Sequence, residues 1–161
     1  MEKGNTKQEI LEAALDLFSV HGFEATSISQ IASAVGKLPL TPDAAVQMIQ
    51  GQIRYILHEP YISKARKMLV IEQFRNTELA KLQTKQNYSD IMRYFTGLVK
   101  HMIQNGVLTE EDPEIMAAQL CLPISTWINL CDREPERESE VMEMVDKHIR
   151  QFFRCYQSEA R

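Results

Sequence analysis

The chain has 161 residues, of which 44% are hydrophobic and 25% charged, which is the composition of an ordinary globular protein of one or two small domains. No apolar run approaches the roughly 18 residues of a membrane span, so no membrane partner is expected, and the polar residues 1–5 do not resemble a secretion signal. The net charge of −4 excludes a general electrostatic attraction to nucleic acid.

The N-terminal pattern predicts two short helices. Thr6 and Glu9 form a capping box ahead of the first helix, whose apolar residues recur at helical spacing and which ends at Gly22. Ser27 begins the second helix, which ends at Gly36. Two helices joined by a glycine turn are also typical of a generic helical hairpin.

From residue 38 onward the pattern is helical almost throughout. Thr41-Pro42 predicts a helix start and Glu59-Pro60 its end. Further helices are predicted over 61–75, 78–86 and 91–103, from Asp112-Pro113 through Ile128, and from Val141 to Tyr156. Residues 132–140 are charged, contain Pro135 and predict a solvated loop. No strand-like alternation occurs in the sequence, so the predicted fold class is all-α.

The cysteine and histidine residues give no sign of a metal site or of catalysis. Cys121, Cys131 and Cys155 are odd in number and form no C-x-x-C pair, which is typical of reduced thiols in the cytoplasm and of small buried hydrophobic residues. His58 and His101 lie in no metal-ligand spacing, which favours surface or capping roles. The sequence has no phosphate-binding glycine loop, G-x-S-x-G or H-E-x-x-H, so it predicts neither an enzyme, a cofactor nor a metal site.

The segment ILEAALDLFSVHGFEATSISQIASAVG, residues 10–36, carries a more particular signal. It resembles the N-terminal signature of the TetR family of bacterial one-component repressors. The residues in register are Ala13-Ala14, Leu17-Phe18, His21-Gly22-Phe23, Thr26-Ser27-Ile28, Ile31-Ala32 and Val35-Gly36. The resemblance implies a helix-turn-helix domain in residues 1–37 and a helical effector-binding and dimerisation domain in residues 38–161.

One part of that family pattern is absent from the sequence. The resemblance implies that a recognition helix for the major groove follows Gly36, and that a linking helix comes next. Lys37 is followed instead by LPLTP, whose two prolines cannot form a recognition helix. Residues 1–37 also carry three lysines against five acidic residues, a net charge of −2 that is unfavourable for a complete DNA-binding unit.

Two explanations of this junction are open. Either the protein has lost both helices, or roughly 30–45 residues between Lys37 and Leu38 are not included in the sequence. We favour the second, which predicts a Cα–Cα distance between these two residues far above the roughly 3.8 Å of a trans peptide. In either case the helix-turn-helix domain is incomplete as written.

The resemblance implies double-stranded operator DNA as one partner. Thr26 and Ser27 lie at a helix N-terminus and are candidate phosphate donors, a role that is compatible with plain N-capping. Lys37 is a phosphate candidate if it truly follows Gly36.

A small-molecule effector is the second implied partner. The candidate lining residues are Tyr55, Phe74, Tyr94, Phe95, Met102 and Trp127. A lining rich in methionine and aromatic residues suits an adaptable pocket and a lipophilic or amphipathic effector, although plain core packing is an alternative for each residue.

A second copy of the chain is the third implied partner, because in the family the last two helices pair across a two-fold axis. The candidate interface residues are Leu120, Cys121, Ile124, Ile128, Val145, Ile149, Phe152 and Tyr156. In the alternative, Phe152 and Phe153 both turn inward and the protein is a monomer.

The leading function is therefore a ligand-responsive regulator, a repressor released from a palindromic operator by its effector. The alternative is a helical dimeric small-molecule-binding protein without DNA binding.

Overall fold

A computed structural model of the protein describes residues 41–158. Six α-helices lie in this part of the chain: α1 (Pro42–His58), α2 (Pro60–Glu72), α3 (Thr77–Thr84), α4 (Asp90–Gln104), α5 (Pro113–Arg133) and α6 (Glu138–Tyr156). A π-helical segment, Lys85–Ser89, joins α3 to α4, and a 3-10 turn, Pro135–Arg137, precedes α6. The predicted all-α fold is confirmed.

Three helices begin at the capping signals of the sequence. Thr41, Glu59 and Asp112 each stand one residue before a proline that opens α1, α2 or α5. Their side-chain oxygens accept a hydrogen bond from a backbone N–H in the first helical turn, at 3.1, 2.7 and 2.9 Å respectively. The caps therefore satisfy N–H groups that have no partner within the helix.

The hydrophobic core lies between α1, α4, α5 and α6. The stripe predicted on α4 is buried at Phe95, Val99 and Met102. Helices α1 and α6 run antiparallel, because Asp43 at the start of α1 pairs with Arg150 near the end of α6 at 2.7 Å, and the other ends of the two helices also meet.

The solvated loop predicted over residues 132–140 is confined to residues 134–137. Helix α5 continues to Arg133 and α6 begins at Glu138, so only the short segment with the 3-10 turn separates them. Arg137 donates to Glu134 at 3.3 Å and to Glu140 at 2.6 Å, so it links the two sides of the 3-10 turn. The predicted helices over 78–86 and 91–103 are likewise not separate, because the π-helical segment makes them continuous.

The end of α4 holds the C-terminal segment. Gly106 has a φ of +69°, the left-handed conformation predicted for a glycine after a helix end. Beyond it, Leu108 and Gln157 form an isolated antiparallel bridge, and Thr109 N donates to Tyr156 O at 2.7 Å. These backbone bonds fix the end of α6 against the connection between α4 and α5.

Candidate functional site

Several predictions lie outside the described residues. These are the DNA contacts of Thr26, Ser27 and Lys37, the helix-turn-helix of residues 1–37 and the break between Lys37 and Leu38. They stay predictions.

Four of the six residues predicted to line an effector pocket share one apolar core. Phe95 and Met102 are buried in it, and Tyr94 and Trp127 pack against it partly buried. The rings of Tyr94 and Phe95 meet edge to face with their centroids 5.0 Å apart. These four residues of α4 and α5 therefore belong to one core, and their role as a pocket lining stays a prediction.

The other two predicted pocket residues lie apart from this group. Tyr55 is 56% exposed on α1, and Phe74, in the connection after α2, is 85% exposed. Both were selected from the position of the pocket that the family resemblance implies, which does not show which helix, if any, covers them. In the described chain they do not join the other four.

The interior holds polar atoms that no sequence motif signals. Tyr94 Oη, Gln83 Oε1 and Arg66 Nε are buried and have no hydrogen-bond partner among the described residues. Burial raises the pKa of Tyr94 to about 12, so its hydroxyl stays protonated and can donate at neutral pH.

A buried ion pair ties α2 to the end of α5, and sequence reasoning did not find it. The two terminal nitrogens of Arg66 donate to the two carboxylate oxygens of Asp132, with Nη2 and Oδ1 2.6 Å apart. The two side chains are 10% and 14% exposed. Such a two-pronged pair is geometrically specific, and it fixes α2 relative to α5.

A second polar contact stands between the end of α1 and the start of α6. His58 Nε2 lies 2.9 and 2.8 Å from the two carboxylate oxygens of Glu138. His58 is a surface residue, as predicted. Together with Arg66–Asp132, this contact forms what we call the corner clamp, which joins the α1–α2 corner to the α5–α6 corner.

The residues predicted for a dimer interface lie mostly inside the single chain. Leu120, Cys121, Ile124, Val145, Ile149 and Phe152 are buried in its core, and Ile128 and Tyr156 pack against it partly buried. Phe152 and Phe153 both turn inward, as in the alternative arrangement, with 5% and 3% exposure. Phe152 and Phe153 widen the apolar stripe of α6, and this helix packs on two neighbours, α1 and α5. A dimer through α5 and α6 therefore requires their outward faces.

Those outward faces meet at a seam between the two helices. His148 of α6 packs edge to face on Trp127 of α5, with centroids 5.3 Å apart, and its Nε2 lies 3.0 Å from Leu120 O. Met144, one turn earlier on α6, is 41% exposed, and Ile115 on α5 is also exposed. Apolar surface is thus available on both helices.

Two family models match the chain. Residues 10–37 match the bacterial regulatory proteins of the tetR family, and residues 45–158 match the C-terminal domain of AefR-like transcriptional repressors. The second match covers nearly all of the described helical bundle. The chain belongs to the TetR family. No curated protein and no solved structure gives a match.

The family assignment confirms the resemblance found in residues 10–36, and it makes this TetR-family protein a transcriptional regulator. Regulators of this family are in general non-enzymatic DNA-binding proteins. The two matches leave residues 38–44 between them, the stretch that contains the proline-rich junction. Within residues 41–158, no helix is long and apolar enough to cross a membrane, and no group of three potential metal ligands is assembled.

Proposed function

We propose that this TetR-family protein is a ligand-responsive repressor, which binds a palindromic operator in the cytoplasm as a homodimer and is released when a small molecule binds its helical core. The observation that carries the proposal is the order of the two family matches in one chain: a TetR-type N-terminal region followed by a repressor-type C-terminal domain. DNA recognition belongs to the first region, and effector binding and dimerisation to the second.

In the DNA-binding half, Thr26 and Ser27 position the protein on the operator by donating to phosphates. Lys37 adds a phosphate contact. These contacts carry no base information, so sequence preference belongs to the recognition helix that the family pattern places after Gly36. The affinity is expected to fall steeply with salt concentration, because phosphate contacts dominate it.

In the effector-binding half, the ligand occupies the interior near Tyr94, Phe95, Met102 and Trp127. The corner clamp ties the α1–α2 corner to the α5–α6 corner through two polar contacts, of which Arg66–Asp132 is buried. A ligand that separates α2 from α5 works against Arg66–Asp132, and the equilibrium between two arrangements of these helices then depends on ligand binding.

The dimer joins the outward faces of α5 and α6 at the seam near Met144. Two-fold symmetry gives an isologous interface and matches the two half-sites of a palindrome. Exposed apolar side chains on both helices supply the surface, and the buried stripe of α6 supports the helix from behind.

The test is a gel-shift titration of the full-length protein on its own promoter region, at low salt and without ligand. A specific shift that weakens with salt supports the proposal, and no shift under these conditions contradicts it. Thr26→Ala and Ser27→Ala should lower the affinity for all DNA sequences alike. An altered base preference in either variant would show that this helix is misplaced.

A second function is favoured by one observation, the prolines at 39 and 42 where the family pattern requires a recognition helix. A chain with this junction would be a dimeric small-molecule-binding protein without DNA binding. The intact mass of the native protein distinguishes the two cases. A mass of 18.6 kDa matches the sequence as written, whereas roughly 30–45 additional residues would add about 3 to 5 kDa.

A further inference from the structure

We propose that the Tyr94 hydroxyl is the polar anchor of the effector, and that the effector is a neutral, largely apolar molecule that presents a hydrogen-bond acceptor such as a carbonyl oxygen. This inference rests on the proposed function, in which the helical core binds a small molecule. It adds the residue that orients the ligand and the chemical class of the ligand.

The first observation is that the Tyr94 hydroxyl is buried and has no hydrogen-bond partner within residues 41–158. Buried polar groups in proteins are nearly always paired, because an unpaired one costs about 1–3 kcal/mol. Phenylalanine would keep the ring and its edge-to-face contact with Phe95 without this cost. The packing of residues 41–158 therefore gives this hydroxyl no hydrogen-bond partner, and the partner that we propose is a bound ligand.

Tyr156 shows the ordinary arrangement by contrast. Its side chain also packs against the core, and its hydroxyl donates to Gln119 Oε1 at 2.5 Å in an exposed hydrogen bond. The same side chain is thus paired at one position and unpaired at the other. The comparison makes Tyr156 a matched control for any experiment on Tyr94.

The expected charge of the ligand follows from the charged side chains that are buried in the described chain. Arg66 is the buried charged side chain of the described residues, and its terminal nitrogens are already paired with Asp132. A carboxylate or ammonium group bound in this interior would have to compete with that existing ion pair for its counter-charge, and an unpaired buried charge is strongly unfavourable. A neutral acceptor needs only the donor that Tyr94 provides.

The donor role is secure over the physiological pH range. Because burial raises the pKa of Tyr94 to about 12, the hydroxyl keeps its proton at any pH at which the protein is used. A protonated phenol is a better donor than acceptor, so the ligand that we propose supplies the acceptor atom. In the proposal, the aromatic and methionine side chains of the same core accommodate the apolar remainder.

The first experiment needs no ligand. Tyr94→Phe in the full-length protein should raise the melting temperature by about 2–4 °C, since it removes an unpaired buried hydroxyl at constant shape. Tyr156→Phe, which breaks an existing hydrogen bond, should not raise it. A fall in the melting temperature of Tyr94→Phe would show that the hydroxyl is already satisfied in the free protein, and this would overturn the proposal.

The second experiment is a thermal-shift and calorimetric titration with a library of aliphatic and aromatic methyl esters and the free acids of the same skeletons. The expected result is that the esters stabilise the wild type more than their acids do, and that Tyr94→Phe binds the same esters about three- to tenfold more weakly. Tyr156→Phe should bind them as the wild type does.

Each failure has its own meaning. Equal ester affinity in the wild type and Tyr94→Phe, or stronger binding of the acids, overturns the anchor or the neutral ligand class while the effector-binding function stands. If no ester, acid or broader metabolite library stabilises the wild type, effector binding itself is wrong and the anchor falls with it.

Discussion

The Arg66 guanidinium on α2 and the Asp132 carboxylate in the last turn of α5 face each other as a two-pronged ion pair, 66 residues apart in the chain. Both side chains are largely removed from water. Such a pair adds little to stability compared with apolar residues of the same shape, but breaking one side leaves the other charged and buried. The pair therefore specifies how α2 sits on the bundle.

Removing one partner should be strongly destabilising. Asp132→Ala is expected to lower the free energy of unfolding by about 3 kcal/mol or more, because Arg66 is then buried without its counter-charge. The double variant Arg66→Met/Asp132→Leu should recover much of this loss. Urea denaturation of this double variant and of the single variants Arg66→Met and Asp132→Leu completes a double-mutant cycle.

An exposed pair serves as the control. Lys147 and Glu143 lie 2.6 Å apart on α6, and both are mostly exposed. Lys147→Ala should change the free energy of unfolding by less than about 0.5 kcal/mol. If Asp132→Ala costs no more than Lys147→Ala, the buried pair does not hold α2 in place.

Thiol labelling should separate the buried cysteines from the exposed one. Burial raises the pKa of the Cys121 thiol to about 11 and also raises that of Cys131, while Cys155 is exposed. Since the thiolate is the reactive form, neither buried thiol should be alkylated in the native protein between pH 7 and pH 9. Mass spectrometry after maleimide treatment should show at most one adduct, at Cys155, and three adducts in urea.

Labelling of Cys121 or Cys131 before unfolding would contradict the burial of these thiols. The extent of labelling at Cys155 carries separate information. This residue lies on α6, so protection of its thiol in the native protein would show that a second chain covers that surface.

The starts of the helices were predictable because capping is local. Thr41 and Asp112 each combine a side-chain acceptor with a following proline, and both signals act within one helical turn. The structure of the charged run after residue 132 was not predictable, because a contact that orders it is not local. The partner of Asp132 is Arg66, on another helix, and no local pattern shows that pairing.

The width of the apolar stripe on α6 likewise did not show which element covers it. Phe152 and Phe153 broaden the stripe of α6, and a broad stripe indicates either a second chain or a second helix of the same chain. Here α1 and α5 both pack on α6, which buries both rings in the single chain. The sequence placed Tyr94 and Phe95 in one candidate lining, but it gave no sign that the Tyr94 hydroxyl has no partner within residues 41–158.

Two glycines should respond to alanine in opposite directions. Gly97 lies within α4, and a Cβ atom there meets nothing within 4 Å, so Gly97→Ala should raise the free energy of unfolding by about 0.5–1 kcal/mol. Gly106 has a φ of +69°, so Gly106→Ala should lower it by about 1 kcal/mol. Thermal denaturation measures both, and a stabilising Gly106→Ala would show that the end of α4 relaxes without strain.

The dimer prediction now rests on the outer surface of α6. Met144 is 41% exposed and lies one turn before His148, whose ring contacts Trp127 across the seam with α5. If this seam is the interface, Met144→Glu should place two carboxylates near the two-fold axis, convert the dimer to a folded monomer at micromolar concentration, and lower the operator affinity with it. Sedimentation velocity measures the first effect and gel shift the second.

Two further variants separate an interface effect from a folding effect. Ile71→Glu on the exposed side of α2, where the side chain is 61% exposed, introduces the same charge away from the seam and should leave the dimer intact. Phe152→Glu should instead unfold the chain, because that ring is buried in the core of the single chain. A dimer unchanged by Met144→Glu would place the interface on another surface. A wild-type protein that sediments as a monomer at micromolar concentration would exclude the proposed binding of a symmetric dimer to a palindromic operator.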